Sequence, residues 1–204
     1  MELFIPRADN VTLTVKNGPY AGTYARTAIY PRTFDVSGTW AVGSMSAITD
    51  KFLLGIGLEQ EPIASSPHKV KIISSTGNVS YSTYAQTSHF NVFLSPAYAL
   101  KKDKLVFGKI GYTNSTEEID FDADETPDHI AEGVVLGAGY KQIVSGGVFL
   151  FGEANYYHYP SKNYTTSGIT RDGLIFVSDQ KITSKGFSTA VGLGYVLPRS
   201  LTRK

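Results

Sequence analysis

Histidine is the residue of this chain most able to ligate a metal or move a proton, and there are four: His68, His89, His129 and His158. No two of them stand in the HxH or HxxxH spacing that brings two imidazoles to one metal ion. Cysteine is absent, so thiolate ligands, disulfide bonds and a cysteine nucleophile are excluded. The sequence therefore predicts no catalytic residue, no cofactor and no metal ligand, and each histidine is expected at a surface or an interface.

The segment STEEIDFDADETPDH carries seven carboxylates between residues 117 and 128. Three of them imitate the start of a calcium-binding loop: Asp120, Asp122 and Asp124. The imitation fails at the sixth position, where Glu125 replaces glycine, and at the twelfth, where Ala131 replaces glutamate. We expect a solvated acidic loop tip. Weak binding of divalent cations beside lipopolysaccharide phosphates is the alternative.

Runs that alternate apolar with small or polar residues are the main structural signal. Eight occur, at roughly 20–30, 37–48, 52–60, 86–100, 104–118, 132–144, 148–160 and 184–197. Tight connections lie at Thr49-Asp50-Lys51, Lys101-Lys102-Asp103 and Ser145-Gly146-Gly147, and long polar ones at 61–85, 119–131 and 161–183. The pattern predicts a single all-β domain, an eight-stranded antiparallel up-and-down meander.

The two faces of these strands differ in chemistry. Residues opposite each other across a tight turn share a face, which groups the even-numbered apolar residues: Trp40, Val42, Leu54, Ile56, Leu58, Val92, Leu94, Tyr98, Val106, Ile110, Tyr112, Val134, Leu136, Tyr140, Val148 and Leu150. The last strand changes parity and presents Phe187, Val191, Leu193, Tyr195 and Leu197. Charges in the strand centres share the other face with glycine and serine. We therefore predict a transmembrane β-barrel with the apolar face toward lipid and tyrosines in two interfacial girdles.

Residues 20–197 resemble the small eight-stranded outer-membrane β-barrels of Gram-negative bacteria, of the opacity-protein and surface-antigen type. The resemblance is most specific in GVVLGAGYKQIVSGGVFLFGEANYYHY and in FSTAVGLGYVL, which is similar to the assembly signal of such barrels. Two departures are Ala190, where a polar residue is usual, and the extension PRSLTRK after Leu197. The resemblance implies an integral protein of the cell outer membrane with periplasmic termini, in contact with lipid, lipopolysaccharide and the barrel-assembly machinery.

From this resemblance we expect a structural or surface-interaction (adhesin-like) role rather than an enzyme. The long loops would meet host surfaces, other cells or phage, and the net charge of +1 gives no reason to expect nucleic acid. The expected organisation is an N-terminal periplasmic segment at 1–19, the barrel at 20–197 and a C-terminal tail at 198–204. Because residues 1–19 lack the apolar stretch of a signal peptide, the chain is expected to be a mature form or to have a wrongly placed start.

Two alternatives stay open. YYHYPSKN is similar to the His-Ser pair of outer-membrane lipid A deacylases, which would make a lipid-modifying enzyme. The odd spacing of His158 and Ser161, with Pro160 between them, places them on opposite faces of a regular strand. FDVSGTW, at 34–40, has the Gly-x-Trp that resembles the first strand of lipocalins, which are soluble ligand carriers.

Four charged residues are expected to meet inside the barrel: Arg26, Glu59, Lys109 and Glu153. Counted from the strand ends, they lie at similar heights. Buried charges are costly unless they pair, and an eight-stranded interior has no room for both a charge network and a water column. We predict a barrel that does not conduct as a general pore.

Overall fold

The computed structural model describes residues 2–19, 21–29, 33–61, 66–75, 77–120, 129–169 and 173–197. They form eleven β-strands: β1 Glu2–Val15, β2 Gly22–Ile29, β3 Thr33–Asp35, β4 Trp40–Ala47, β5 Phe52–Glu61, β6 His68–Ser74, β7 Val79–Lys101, β8 Lys104–Asp120, β9 His129–Ser145, β10 Val148–Ile169 and β11 Ile175–Tyr195. No helix capable of crossing a membrane occurs in these ranges.

The eleven strands occupy eight strand positions, or lines, in one antiparallel sheet, because some positions are filled by two or three short strands in succession. β2, β3 and β4 succeed one another along one line, and β5 and β6 along the next, because β5 and β6 both pair with β7. Each remaining strand forms its own line and pairs with its sequence neighbour. β11 returns to pair with β1, from Ser188 opposite Glu2 to Phe176 opposite Val15. The predicted all-β up-and-down architecture is confirmed.

Within the described ranges, the strands pair all the way around the sheet only at the end that carries the long loops, where β1 links β11 to β2 and β2 pairs with β6. Glu2 pairs with Ser188 on one side and with Asp35 on the other. Nearer the tight turns, β4 and residues 189–195 of β11 each pair on one side only within the described chain. The sheet is therefore not closed at that level.

The three tight turns lie where the sequence predicts them. At the first, the backbone N–H of Ile48 donates to the carbonyl of Phe52 at 2.8 Å. At the third, Gly146 and Gly147 have φ values of 54° and 88°, a region that glycine enters without steric cost. A register shift beside this turn then pairs Phe149 with Ile143, as the parity argument requires.

The strands extend beyond their predicted limits at the long-loop end. Most of the predicted loop 161–183 is strand, because β10 runs to Ile169 and β11 starts at Ile175. Glu2–Val15, predicted to precede the barrel, is instead β1, which pairs with β2, β3 and β11. Polar, Thr- and Ser-rich composition suggested loops here, but a strand that faces water also has this composition. Residues 121–128 and the tail 198–204 lie outside the described residues.

The pattern of inside and outside reverses along the height of the sheet. In what we call the turn-side half (40–61, 88–114, 133–159 and 186–195), the apolar residues predicted to face outward do so and are mostly exposed, while four phenylalanine rings face inward. In the loop-side half (12–29, 68–86, 115–120, 129–132 and 160–185), the most deeply buried apolar residues face inward, while a smaller set stays exposed: Ile29, Val79, Tyr81, Ile130, Ile169 and Ile175. The inward core comprises Val70, Ile72, Tyr84, Ala131, Val135, Tyr157, Tyr159 and Ile182. Three of these residues belong to the adjoining part of the turn-side half: Val135, Tyr157 and Tyr159.

Two strands are irregular where the two halves meet, with register shifts at Gln86/Ser88 and Tyr159/Lys162. A third shift, at Asp9/Thr12, lies inside the loop-side half. A bulge re-aims the side chains that follow it, and in β7 the buried positions are even-numbered up to Gln86 and odd-numbered from His89. The two halves are thus set in register separately.

Candidate functional site

Three of the four predicted interior charges meet in the turn-side half. Nζ of Lys109 lies 2.6 Å from Oε1 of Glu59 and 2.8 Å from Oε1 of Glu153. Asn91 donates to the Glu59 carboxylate at 3.2 Å, and Asn155 donates to that of Glu153 at 2.8 Å. The Lys109 side chain is 1% exposed. These charges face inward and pair, as the strand parity predicts.

Lys141 takes the fourth place beside this charge cluster. Arg26 faces inward as expected, but the prediction that it meets the other three charges was wrong. Arg26 lies on β2 in the loop-side half, opposite Ser74. No ion pair joins it to Lys109 or to either carboxylate of the cluster, all of which are described residues. Lys141 interacts electrostatically with Glu153, Lys109 and Glu59. Its odd number places it on the same inward face as Lys109 and Glu153, and this signal in the sequence could have identified it.

Four inward-facing phenylalanines fill the turn side of the charge cluster. A Cβ added at Gly57, Gly139, Gly194 or Gly192 would overlap the ring of Phe93, Phe107, Phe149 or Phe151, respectively. Aromatic rings thus occupy the space that glycines leave on adjacent strands. Nζ of Lys109 lies 4.6 Å from the Phe93 centroid, and Nζ of Lys141 lies 4.6 Å from that of Phe107. The glycines face inward as predicted. The rings were not predicted, although they share the parity of the inward face and could have been identified by it.

A second polar group surrounds His89 on the loop side of the charge cluster. Nε2 of His89 lies 2.7 Å from the Thr113 hydroxyl and 3.3 Å from the Tyr159 hydroxyl, and Nδ1 lies 3.5 Å from Oε2 of Glu61. The order carboxylate, imidazole, hydroxyl is that of a hydrolase triad. However, His89 is 3% exposed and Thr113 0% exposed, so a substrate carbonyl has no approach to Thr113 in this arrangement. His89 was expected at a surface or an interface, but it shares the inward parity of Asn91 and is buried.

Glu117 is buried inside the loop-side half. It is 1% exposed, and its Oε1 has no hydrogen-bond partner. Burial is the larger effect and raises the pKa of Glu117 to about 8. A hydrogen bond with Tyr84 acts in the opposite direction and lowers this pKa by a smaller amount. The expectation of a solvated acidic tip was wrong for this residue, because β8 continues the inward parity of Lys109 and Thr113 as far as Glu117. The calcium-like residues Asp122 and Asp124 lie outside the described residues. Among the residues that the structure describes, no three acidic or histidine side chains lie close enough together to hold a metal ion.

His158 and Ser161 do not form a hydrogen-bonded dyad. His158 is paired in register with Lys185 on the outward face, and the Ser161 hydroxyl hydrogen-bonds that of Thr183. A register shift after Tyr159 separates the two residues. His68 is half-buried on β6, and the side chain of His129 is among those not described.

Comparison with known proteins gives a likeness of fold. No family model matches the chain, and no curated protein matches its sequence. Ail of Yersinia pestis, in complex with a heparin analogue, is 7% identical with a TM-score of 0.44, covering 92% of this chain and 100% of Ail. The outer membrane protease OmpT of Escherichia coli is 12% identical with a TM-score of 0.47, covering 86% of this chain and 64% of OmpT. The outer membrane protein OprG of Pseudomonas aeruginosa is 10% identical with a TM-score of 0.43, covering 96% of each chain.

These similar structures are outer-membrane β-barrel proteins. The likeness is one of fold alone. What supports a location in a membrane is the outward apolar face of this chain's own turn-side half.

Proposed function

We propose that this protein is an integral outer-membrane β-barrel with a sealed interior, whose loop-side half makes contacts at the cell surface. The supporting observation is the reversal of the apolar face between the two halves. In the turn-side half, Leu54, Ile56, Ile110 and Leu136 face outward with roughly half of their surface exposed. Water would solvate such a continuous apolar wall poorly, whereas lipid would cover it. The loop-side half buries apolar residues such as Val70, Ile72 and Ile182 and exposes far fewer large apolar side chains than the turn-side half, which suits water outside.

The outward apolar band has the height of a bilayer core. On β10 it runs from Val148 to Tyr156, and on β11 from Tyr195 to Phe187. With a rise of about 3.3 Å per residue and a tilt of about 40°, this stretch spans about 20 Å, close to the band of about 25 Å in this class of barrel. Outward tyrosines flank it as two girdles: Tyr98, Tyr140 and Tyr195 toward the turns, and Tyr112 and Tyr156 toward the loops.

The interior supports a structural rather than a conducting role. The charge cluster of Glu59, Lys109, Lys141 and Glu153 carries two charges of each sign and lies between the phenylalanine rings and the group around His89. Lys109 joins Glu59 and Glu153 across the interior, and Lys141 lies against the rings of Phe107 and Phe149. An eight-stranded interior filled in this way has no room for a continuous water column. The buried charges at the centre of this filled interior also disfavour a lipocalin-like carrier of apolar ligands.

The outer wall of the loop-side half offers a surface for a partner. Ile29, Lys71 and Tyr81 are cross-strand neighbours on β2, β6 and β7. Tyr81 is 57% exposed, and Val79 beside it is also exposed. Tyrosine is enriched among the residues that dominate binding surfaces. We propose that this wall and the adjoining loops contact host surfaces, other cells or phage, in an adhesin-like and non-catalytic role.

Electrophoresis tests the membrane barrel itself. A folded barrel resists detergent, so we expect unboiled and boiled samples to migrate differently. Identical mobility, together with folding in buffer without detergent, would contradict the membrane location.

Cysteine labelling tests the orientation. We propose that the tight turns and both termini face the periplasm and that the long loops face outward. An impermeant thiol reagent added to intact cells should label Asp124→Cys and leave Asp103→Cys unlabelled. The reverse result would invert the proposed topology.

Adhesion assays test the surface role. Tyr81→Ala combined with Lys71→Ala should reduce binding of expressing cells to host cells at unchanged surface levels. Thr165→Ala, an exposed change on β10, is the matched control. Binding that is unaffected by the double substitution would remove this wall from the proposal.

A further inference from the structure

A basic cluster lies on the outer wall of β10 and β11 where the apolar band ends. The outward rings of Tyr156 and Phe187 contact each other, with centroids 4.9 Å apart. His158 and Lys185 are the next outward residues on these two strands, and they are paired in register. Lys181 lies farther along the same exposed face of β11. A row of basic side chains therefore begins directly above the last ring of the band.

The charges of this cluster are only partly balanced. Nζ of Lys162 donates to Oε2 of Glu132 at 3.4 Å and to the Ile130 carbonyl at 3.1 Å. Lys181 and Lys185 are exposed and form no ion pair with any side chain that the structure describes. This wall therefore holds cationic groups that can accept an anion.

Two acidic groups on the same wall already have partners, and a third, Asp9 of β1, stands in register with Lys181. Glu132 also accepts a hydrogen bond from the Tyr112 hydroxyl at 2.9 Å. Asp179, on the far side of Lys181, accepts one from the Thr165 hydroxyl at 2.6 Å. Neither carboxylate lies between the aromatic pair and Lys185 along β11, so the level next to the apolar band is basic.

We propose that His158, Lys162, Lys181 and Lys185 bind the phosphate groups of an anionic lipid headgroup in the outer leaflet. This inference rests on the membrane location proposed above. Acyl chains would lie against Tyr156 and Phe187, which brings the headgroup level with His158 and Lys185. Lysine ammonium groups bind phosphate as point charges and are attracted to anionic membrane surfaces. The exposed hydroxyls of Ser161 and Thr183 supply further donors beside them.

Native mass spectrometry of the refolded full chain tests this site. The protein is released in the mass spectrometer from phosphatidylcholine nanodiscs that contain either bisphosphorylated lipid A or its dephosphorylated form, and the lipid that stays bound to it is measured. We expect the wild type to retain the phosphorylated lipid preferentially. Lys181→Gln combined with Lys185→Gln should lower that retention roughly tenfold, given the electrostatic attraction lost with each lysine. Lys101→Gln combined with Lys102→Gln, at the opposite end of the barrel, is the matched control and should retain the lipid as the wild type does.

The outcomes separate this inference from the membrane location. Equal retention of the two lipids by the wild type, or equal loss in the test and control variants, would overturn the headgroup site while leaving a membrane protein. If the protein binds inorganic phosphate but shows no preference for the phosphorylated lipid, the anion bound at this site is not a lipid headgroup, and the proposal is overturned. Failure to insert into either nanodisc would contradict the membrane location and this site with it.

Discussion

Nζ of Lys109 lies 2.6 Å from Oε1 of Glu59, although β7 stands between the two strands that carry them. The contact is made inside the barrel, where Asn91 of β7 donates to the same carboxylate. Glu153 approaches Lys109 from β10, beyond β9. One ammonium group therefore ties together strands that share no ladder.

Removing the Lys109 charge should destabilise the protein strongly. Lys109→Met leaves Glu59 and Glu153 buried without their shared cation, which typically costs about 3–5 kcal/mol of unfolding free energy. Urea unfolding in detergent micelles would measure the loss. Lys102→Met, in the exposed turn, is the control and should change the free energy of unfolding by less than about 0.5 kcal/mol. A cost below about 1 kcal/mol for Lys109→Met would contradict the assigned role.

Glu117 should make stability depend on pH. The folded protein keeps this proton up to a pKa of about 8, whereas the unfolded chain releases it near 4.5. Because the folded state binds the additional proton between these values, the unfolding free energy falls as pH rises through this window, by at most about 1.4 kcal/mol per unit, and levels off above it. Glu117→Gln should flatten this slope in urea titrations from pH 5 to 9, and exposed Glu118→Gln should not. A slope that persists in Glu117→Gln would refute the assignment.

The fit of ring against glycine predicts a contrast between two glycines. Gly194→Ala places a methyl group into the Phe149 ring and should destabilise by about 1–3 kcal/mol through overpacking. Gly152→Ala is the control, since the nearest atom to its new Cβ is 3.9 Å away. Adding Phe149→Ala to Gly194→Ala should make the combined loss smaller than the sum of the two single losses. Strict additivity in this double-mutant cycle would show that the ring and the glycine do not contact each other.

Planar-bilayer recording tests the sealed interior. We expect no large and stable unitary conductance from the refolded wild type. Phe107→Ala combined with Phe149→Ala removes the rings around Lys141 and should raise the ion leak. Phe52→Ala, whose ring faces outward, should leave the recording unchanged. Large wild-type channels would contradict the sealed interior.

Local chemistry in the sequence determined the strand faces and the turns. Side chains alternate across a strand with a period of two, and glycine-rich or polar turn residues set the register of each hairpin. Leu54, Ile110 and Leu136 could therefore be assigned outward, and Glu59, Lys109 and Glu153 inward, before any contact across the barrel was known. The same reasoning applied to every inward position would have added Phe107 and Lys141.

Only the tertiary structure decided which inward residues meet and where the pattern reverses. Lys141 lies beside the charge cluster in place of Arg26 because Arg26 pairs with Val11 and Ser74 in the loop-side half. His89 and Glu117 are buried because strands distant in sequence close around them. Alternation states that two faces differ, but not which face meets water at a given height. That depends on where the barrel passes from lipid to water, since the solvent outside determines which face must be apolar.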